Sequence, residues 1–139
     1  MDWVLLIGRI LFVLIFVMSG LTFHIMGRAM AVPYARAAGA PFPELMVPLT
    51  GLAIAASGVL VVLGIWVDLA ALVLAANVFA FAFFMHAFWK VQDPQQRVME
   101  QTQFMKDSAL GGAALILFYL FQQFGEEIGL VIGPAALFD

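Results

Sequence analysis

Long apolar runs separated by short polar punctuation dominate the chain, and they predict four membrane-crossing helices at about 4–26, 45–67, 69–89 and 107–124. Each is near the ~20 residues needed to cross a hydrocarbon core of ~30 Å. The fold class expected is therefore all-α, an integral membrane four-helix bundle with short loops. The whole chain, 1–139, reads as a single transmembrane domain. Residues Ile128 to Phe138 are too few to cross a bilayer, and Gly129, Gly133 and Pro134 interrupt them, so an interfacial or packed C-terminal tail is expected.

The punctuation refines this picture. Trp3 opens the first span, as suits an interfacial ring with an apolar body and a polar N–H. Arg9 follows a turn or two later, where it can snorkel to the headgroups or pair with Glu126 or Asp68. Between Gly27 and Glu44, Pro33, Gly39, Pro41 and Pro43 break the pattern, leaving Met30 to Ala38 as a short interfacial helix. Pro48 falls in the first turn of the second span, where a missing N–H does little harm. The sequence Trp66-Val67-Asp68 predicts a tight turn before the third span, and Asn77 at that span's midpoint predicts a hydrogen bond across the bundle. Lys90 to Lys106 is the most polar stretch, in which Pro94 predicts the start of a separate short amphipathic helix.

Composition settles the broad class. Apolar residues make up 65% and charged residues 11%, against roughly 45–50% apolar in soluble domains. The mean hydropathy is +1.06. Net charge is −3 with no basic tract, so the electrostatic footprint of nucleic-acid binding is missing. There is no cysteine, which excludes disulfides, thiolate-held iron–sulfur clusters and thiol redox chemistry within this chain. The first apolar run is longer than the core of a cleaved signal peptide and lacks a basic start, so it is expected to be a retained helix. Arg28, Arg36, Lys90, Arg97 and Lys106 fall in the first and third connections, against Arg9 alone on the other side. By the positive-inside bias those connections are expected in the cytoplasm and both termini outside, periplasmic or extracellular.

Candidate chemistry gathers at one level. His24 and His86 lie near the ends of parallel spans one and three, while Glu44, Gln103, Lys106 and Asp107 approach that level from antiparallel directions. His86, Phe79, Phe83 and Lys90 are expected to share a helical face, at spacings of three, four or seven residues. The candidate binding set is His86, His24, Phe83, Trp89, Lys90, Gln103, Lys106 and Glu44, with no catalytic or metal-ligating set. Interfacial His, Lys and Trp residues also anchor helix ends with no ligand involved, and this structural reading stands beside the functional ones. A quinone or lipid headgroup fits aromatic walls with an imidazole and ammonium rim. Axial haem ligation by His24 and His86 is the weaker chemical alternative, because equal depth does not make two rings face each other. No serine stands in a context that marks an activated nucleophile, and a metal site built from two histidines would need carboxylates such as Glu44 or Asp107.

Gly8-Arg9 with Ser19-Gly20-Leu21, Gly39-Ala40-Pro41-Phe42-Pro43, the Gly51, Gly58 and Gly64 spacing, His86-Ala87-Phe88-Trp89, and Gln103 through Gly112 together resemble the DoxX family over about residues 5–120. The resemblance implies a small four-helix protein of the bacterial inner membrane. It further implies association with redox chemistry, either through quinone or as a non-catalytic accessory subunit or scaffold of a larger membrane complex. Membrane lipid, another redox subunit or a second copy of the chain are the partners it suggests. Two departures stand out. Many relatives carry Lys directly after the segment matching Ser19-Gly20-Leu21-Thr22, where this chain has Phe23 and His24, and often Glu where it has Ile54.

Overall fold

The computed structural model describes residues 2–138 and, at position 126, only the backbone. The chain is helical over most of its length, in an antiparallel bundle with no strand among the described residues. Helix α1 covers Asp2–Met18 and runs on through a π-helical segment, Ser19–Met26. A short helix α2 covers Arg28–Ala37, and α3 covers Pro43–Leu63. Helix α4 covers Val67–Met85, and α5 covers Pro94–Phe124. Four helical stretches are long and apolar enough to cross a membrane, among them 2–26, 43–63 and 94–124.

Small residues set the helix spacing. A Cβ on Gly20 would come 2.5 Å from the Gly51 carbonyl, and one on Gly51 would collide with the Cβ of His24. The first span and α3 therefore touch backbone to backbone at the level where His24 leaves its helix. Gly51→Ala is expected to force the two helices apart and destabilise the protein by about 1–3 kcal/mol, read from its unfolding midpoint in detergent. At the core, Val13, Phe16, Ile54, Leu74, Val78, Ala114 and Phe121 are buried together.

Several boundaries differ from expectation. Helix α3 starts two residues early, at Pro43, so Pro43 takes the harmless first-turn place and Pro48 lies inside the helix. The tight turn is Gly64-Ile65-Trp66, with Gly64 at φ 72° and Trp66 at φ 45°, and Val67-Asp68 already belong to α4. Helix α4 stops at Met85, so His86 is its capping residue at φ −116° and does not continue the face of Phe79 and Phe83. Asn77 donates to the Val73 carbonyl of its own helix at 2.8 Å and not across the bundle.

The separate helix after Pro94 does not exist either. Asp93 caps α5, accepting the Gln96 N–H at 2.8 Å, and α5 runs unbroken to Phe124. Thirty-one residues span ~46 Å, well beyond a hydrocarbon core of ~30 Å. Helix α5 is thus the longest, and it exceeds the hydrocarbon thickness by several turns.

At the opposite end the tail is packed down. Trp66 N–H donates to Pro134 O at 2.9 Å, Val67 N–H to Ala135 O at 2.8 Å, and Ile132 N–H to Leu63 O at 2.9 Å. The buried Asp68 carboxylate accepts the N–H groups of Leu137 and Phe138, as well as that of Leu69. Arg9 does not snorkel. It is 1% exposed, its Nη2 donates to Leu130 O at 2.7 Å, and its guanidinium stands 5.7 Å from the Phe121 ring centre. Asp68 is occupied by the tail and forms no ion pair with Arg9 among the described residues, while the Glu126 side chain lies outside them.

Candidate functional site

The level where polar residues were expected to gather encloses a cavity of about 700 Å³. Its deep wall is apolar, built from Phe16, Ile54, Val78 and Leu110, with Phe81, Phe84, Met46 and Val47 at the sides. Helix α2 closes it. Ala31 and Ala35, buried at 2% and 5%, press this helix against α3 and bring Met30 and Tyr34 to the wall. What reads in the sequence as an interfacial helix is therefore part of the enclosure.

The polar lining comes from four elements. His24 leaves the π-helical segment, whose widened turn carries its Nδ1 to 3.0 Å from the Ser19 carbonyl. Its ring stacks at 5.6 Å on Phe81 of α4. His86, at the end of α4, bridges two carboxylates of α5: its Nδ1 is 2.8 Å from Glu100 Oε2, and its Nε2 is 3.7 Å from Asp107 Oδ2. Glu100 and Asp107 are seven residues apart on α5 and so share a helical face, with the imidazole between them.

Asp107 is 6% exposed, with Lys106 Nζ 3.7 Å from its Oδ1. The same ammonium donates to Gln103 Oε1 one turn earlier. Tyr34, on α2, completes the rim. Burial pushes its phenol above the ordinary 10.0, and the Glu100 and then the Asp107 carboxylates push it in the same direction. Because the folded state favours the neutral phenol, Tyr34 ionisation should set in only above that value, and any stability it contributes is lost as pH rises further. Glu100→Gln should move the Tyr34 transition in ultraviolet absorbance to lower pH.

Of the expected set, His24, His86, Gln103 and Lys106 line this cavity together, whereas Phe83, Trp89, Lys90 and Glu44 do not. Phe83 lies on a different face of α4 from the cavity-lining Phe81 and Phe84, and it packs against Trp89 and Phe104 at 6.2 and 5.4 Å between ring centres. Phe88 joins this outer aromatic cluster through Trp89 and Phe104. Glu44 pairs with Arg36 on the surface. The sequence places Asp107 at this level only as a carboxylate that a metal site would need, and it does not single out Glu100, Tyr34 or Phe81. A register count along an uninterrupted α5 would have put Glu100 and Asp107 on one face.

Four apolar helices around a half-open, polar-rimmed pocket define a multi-pass helical membrane protein. Within that class, the DoxX family model matches residues 4–87, more than half of the chain, and the chain belongs to the DoxX family. The match takes in α1 to α4 and His86, while α5 with Gln103, Lys106 and Asp107 lies beyond it. Neither the curated proteins nor the solved structures include a significant match.

Proposed function

We propose that this protein is a small subunit of a bacterial inner-membrane redox system that holds a quinone-type ring in the cavity between His24 and His86. One observation carries the reading: both histidines, Gln103, Lys106 and the buried Asp107 meet at the rim of a single apolar cavity. Its volume falls in the ~300–1,000 Å³ range of small-molecule sites, where apolar walls enclose a ligand and a few polar groups orient it. The dimensions and the donor set both fit a ring carrying polar oxygens, with its isoprenoid tail leaving between helices into lipid. A bound quinone would supply a two-electron carrier. This chain's residues would bind and orient the ring, and with no cysteine present the electrons would come from a partner or a borrowed cofactor.

The rim faces the cytoplasm in this reading, because Arg28, Arg36, Lys90, Arg97 and Lys106 all lie at its end of the bundle. The alternative, a non-catalytic scaffold for a larger complex, draws support from the outer cluster of Phe83, Phe88, Trp89 and Phe104. Its rings stand away from the cavity, with Phe83 and Trp89 exposed. Purification in mild detergent followed by lipid extraction separates the two. Co-purifying quinone, reduced at least about tenfold by His86→Ala, is expected; an intact partner complex with no extractable quinone would leave the scaffold reading.

A further inference from the structure

We propose that the cavity selects rings bearing a hydroxyl, the reduced form of a quinone or another phenol, over rings bearing only carbonyls, through acceptors supplied by His24 and Asp107. The inference rests on the ring-binding reading above and assigns it a ligand state. A carbonyl oxygen can only accept, so the 3.0 Å contact to Ser19 O places a proton on His24 Nδ1. The Ser19 hydroxyl, at 3.5 Å, is the poorer partner and can rotate to accommodate that tautomer. No described carboxylate pairs with His24, and its ring lies among Phe23, Phe81 and the Gly51 backbone. In the neutral ring, Nε2 then carries a lone pair and no proton. The π-helical turn is what brings the Ser19 carbonyl under the imidazole, so backbone geometry fixes the tautomer.

Asp107 supplies the second acceptor from the other side of the bundle. Its carboxylate is more than nine-tenths buried and lines the cavity, yet its described polar neighbours, Lys106 Nζ and His86 Nε2, both stand at 3.7 Å. That separation exceeds a hydrogen bond, and a buried carboxylate lacking close donors is costly. A ligand O–H provides the missing donor to either group. To the ionised carboxylate a quinone carbonyl brings only lone pairs and no donor. Lys106 donates to Gln103 and stands beside Asp107, so part of its donor capacity is taken up by groups of the protein.

The discrimination expected is about tenfold or more, as for a site whose buried polar groups are left unpaired by the wrong ligand. The full-length protein in lipid nanodiscs would be titrated anaerobically with 1,4-naphthohydroquinone, 1,4-naphthoquinone and 1,4-dimethoxynaphthalene, which share one ring system. The hydroquinone should bind about tenfold tighter than the other two. Asp107→Leu and His24→Phe should each shrink that preference to about threefold or less, with hydroquinone affinity falling by a larger factor than quinone affinity. Equal affinity for hydroquinone and quinone would overturn the selection and leave the ring-binding reading standing, whereas no saturable binding of any of the three would overturn both. Should either variant fail to fold, 15N NMR of the wild-type imidazoles decides: a pyridine-type Nε2 on His24 is expected, and a protonated Nε2 on the neutral ring would overturn the proposal.

Discussion

Asp68→Ala is expected to release the C-terminal tail from the bundle and to lower stability by about 3–5 kcal/mol. The buried carboxylate satisfies the N–H groups of Leu69, Leu137 and Phe138, and each buried donor left without an acceptor costs roughly 1–3 kcal/mol. The loss should extend beyond those bonds. The same tail supplies the Leu130 carbonyl to Arg9 and the Pro134 and Ala135 carbonyls to the α3–α4 turn, so its release exposes a buried guanidinium and two turn amides. Denaturant titration in detergent would measure the loss, and limited proteolysis should cut the variant between residues 128 and 138 at least tenfold faster. The ring-binding end is far from this lock, and naphthoquinone affinity at temperatures below unfolding should remain within about twofold of wild type.

The second large effect concerns the cavity itself. Thr50 lines it from α3, and its hydroxyl is used within the helix, donating to Met46 O at 2.7 Å. Thr50→Trp should place a bulky ring in the space and lower naphthoquinone affinity by at least about thirtyfold, because the site excludes ligand volume sterically whatever its polar rim offers. A cavity of about 700 Å³ accommodates the indole without crowding the core, so the unfolding midpoint of the ligand-free variant should stay within a few degrees of wild type. Isothermal titration in nanodiscs checks the affinity, and thermal unfolding checks the fold.

The four spans, the sharp α3–α4 reversal and the short helix after the first span were legible because each depends on apolar run length and on glycine and proline punctuation. The gathering of His24, His86, Gln103 and Lys106 at one level was legible as well, since alternating span directions fix depth. What escaped depends on quantities hydropathy does not carry. Helix α5 continues through Glu100, Lys106 and Asp107 because backbone hydrogen bonds are indifferent to side-chain polarity, while a hydropathy profile ends the span where the charges begin. Arg9 reads as a snorkelling residue only if water is the nearest acceptor; the folded tail brings Leu130 O closer. The early stop of α4 at Met85 has no glycine or proline to announce it, and Trp89, in the turn that follows, packs on Phe83 outside the cavity. Nor does any local pattern mark the π-helical turn that aims His24, although the contact between Gly51 and His24 makes it visible in three dimensions.

The central claim, that a quinone-type ring occupies the cavity between His24 and His86, is tested most directly by photo-crosslinking. An azido-naphthoquinone irradiated with the protein in nanodiscs and mapped by mass spectrometry should label peptides carrying Met46, Phe81, Met85 or His86, all on the cavity wall. Excess unlabelled quinone should suppress that labelling. Labelling confined to the exposed outer residues of α1, such as Ile7, Leu11 and Leu14, and insensitive to competitor, would mean that the ring dissolves in lipid and that the cavity does not bind it.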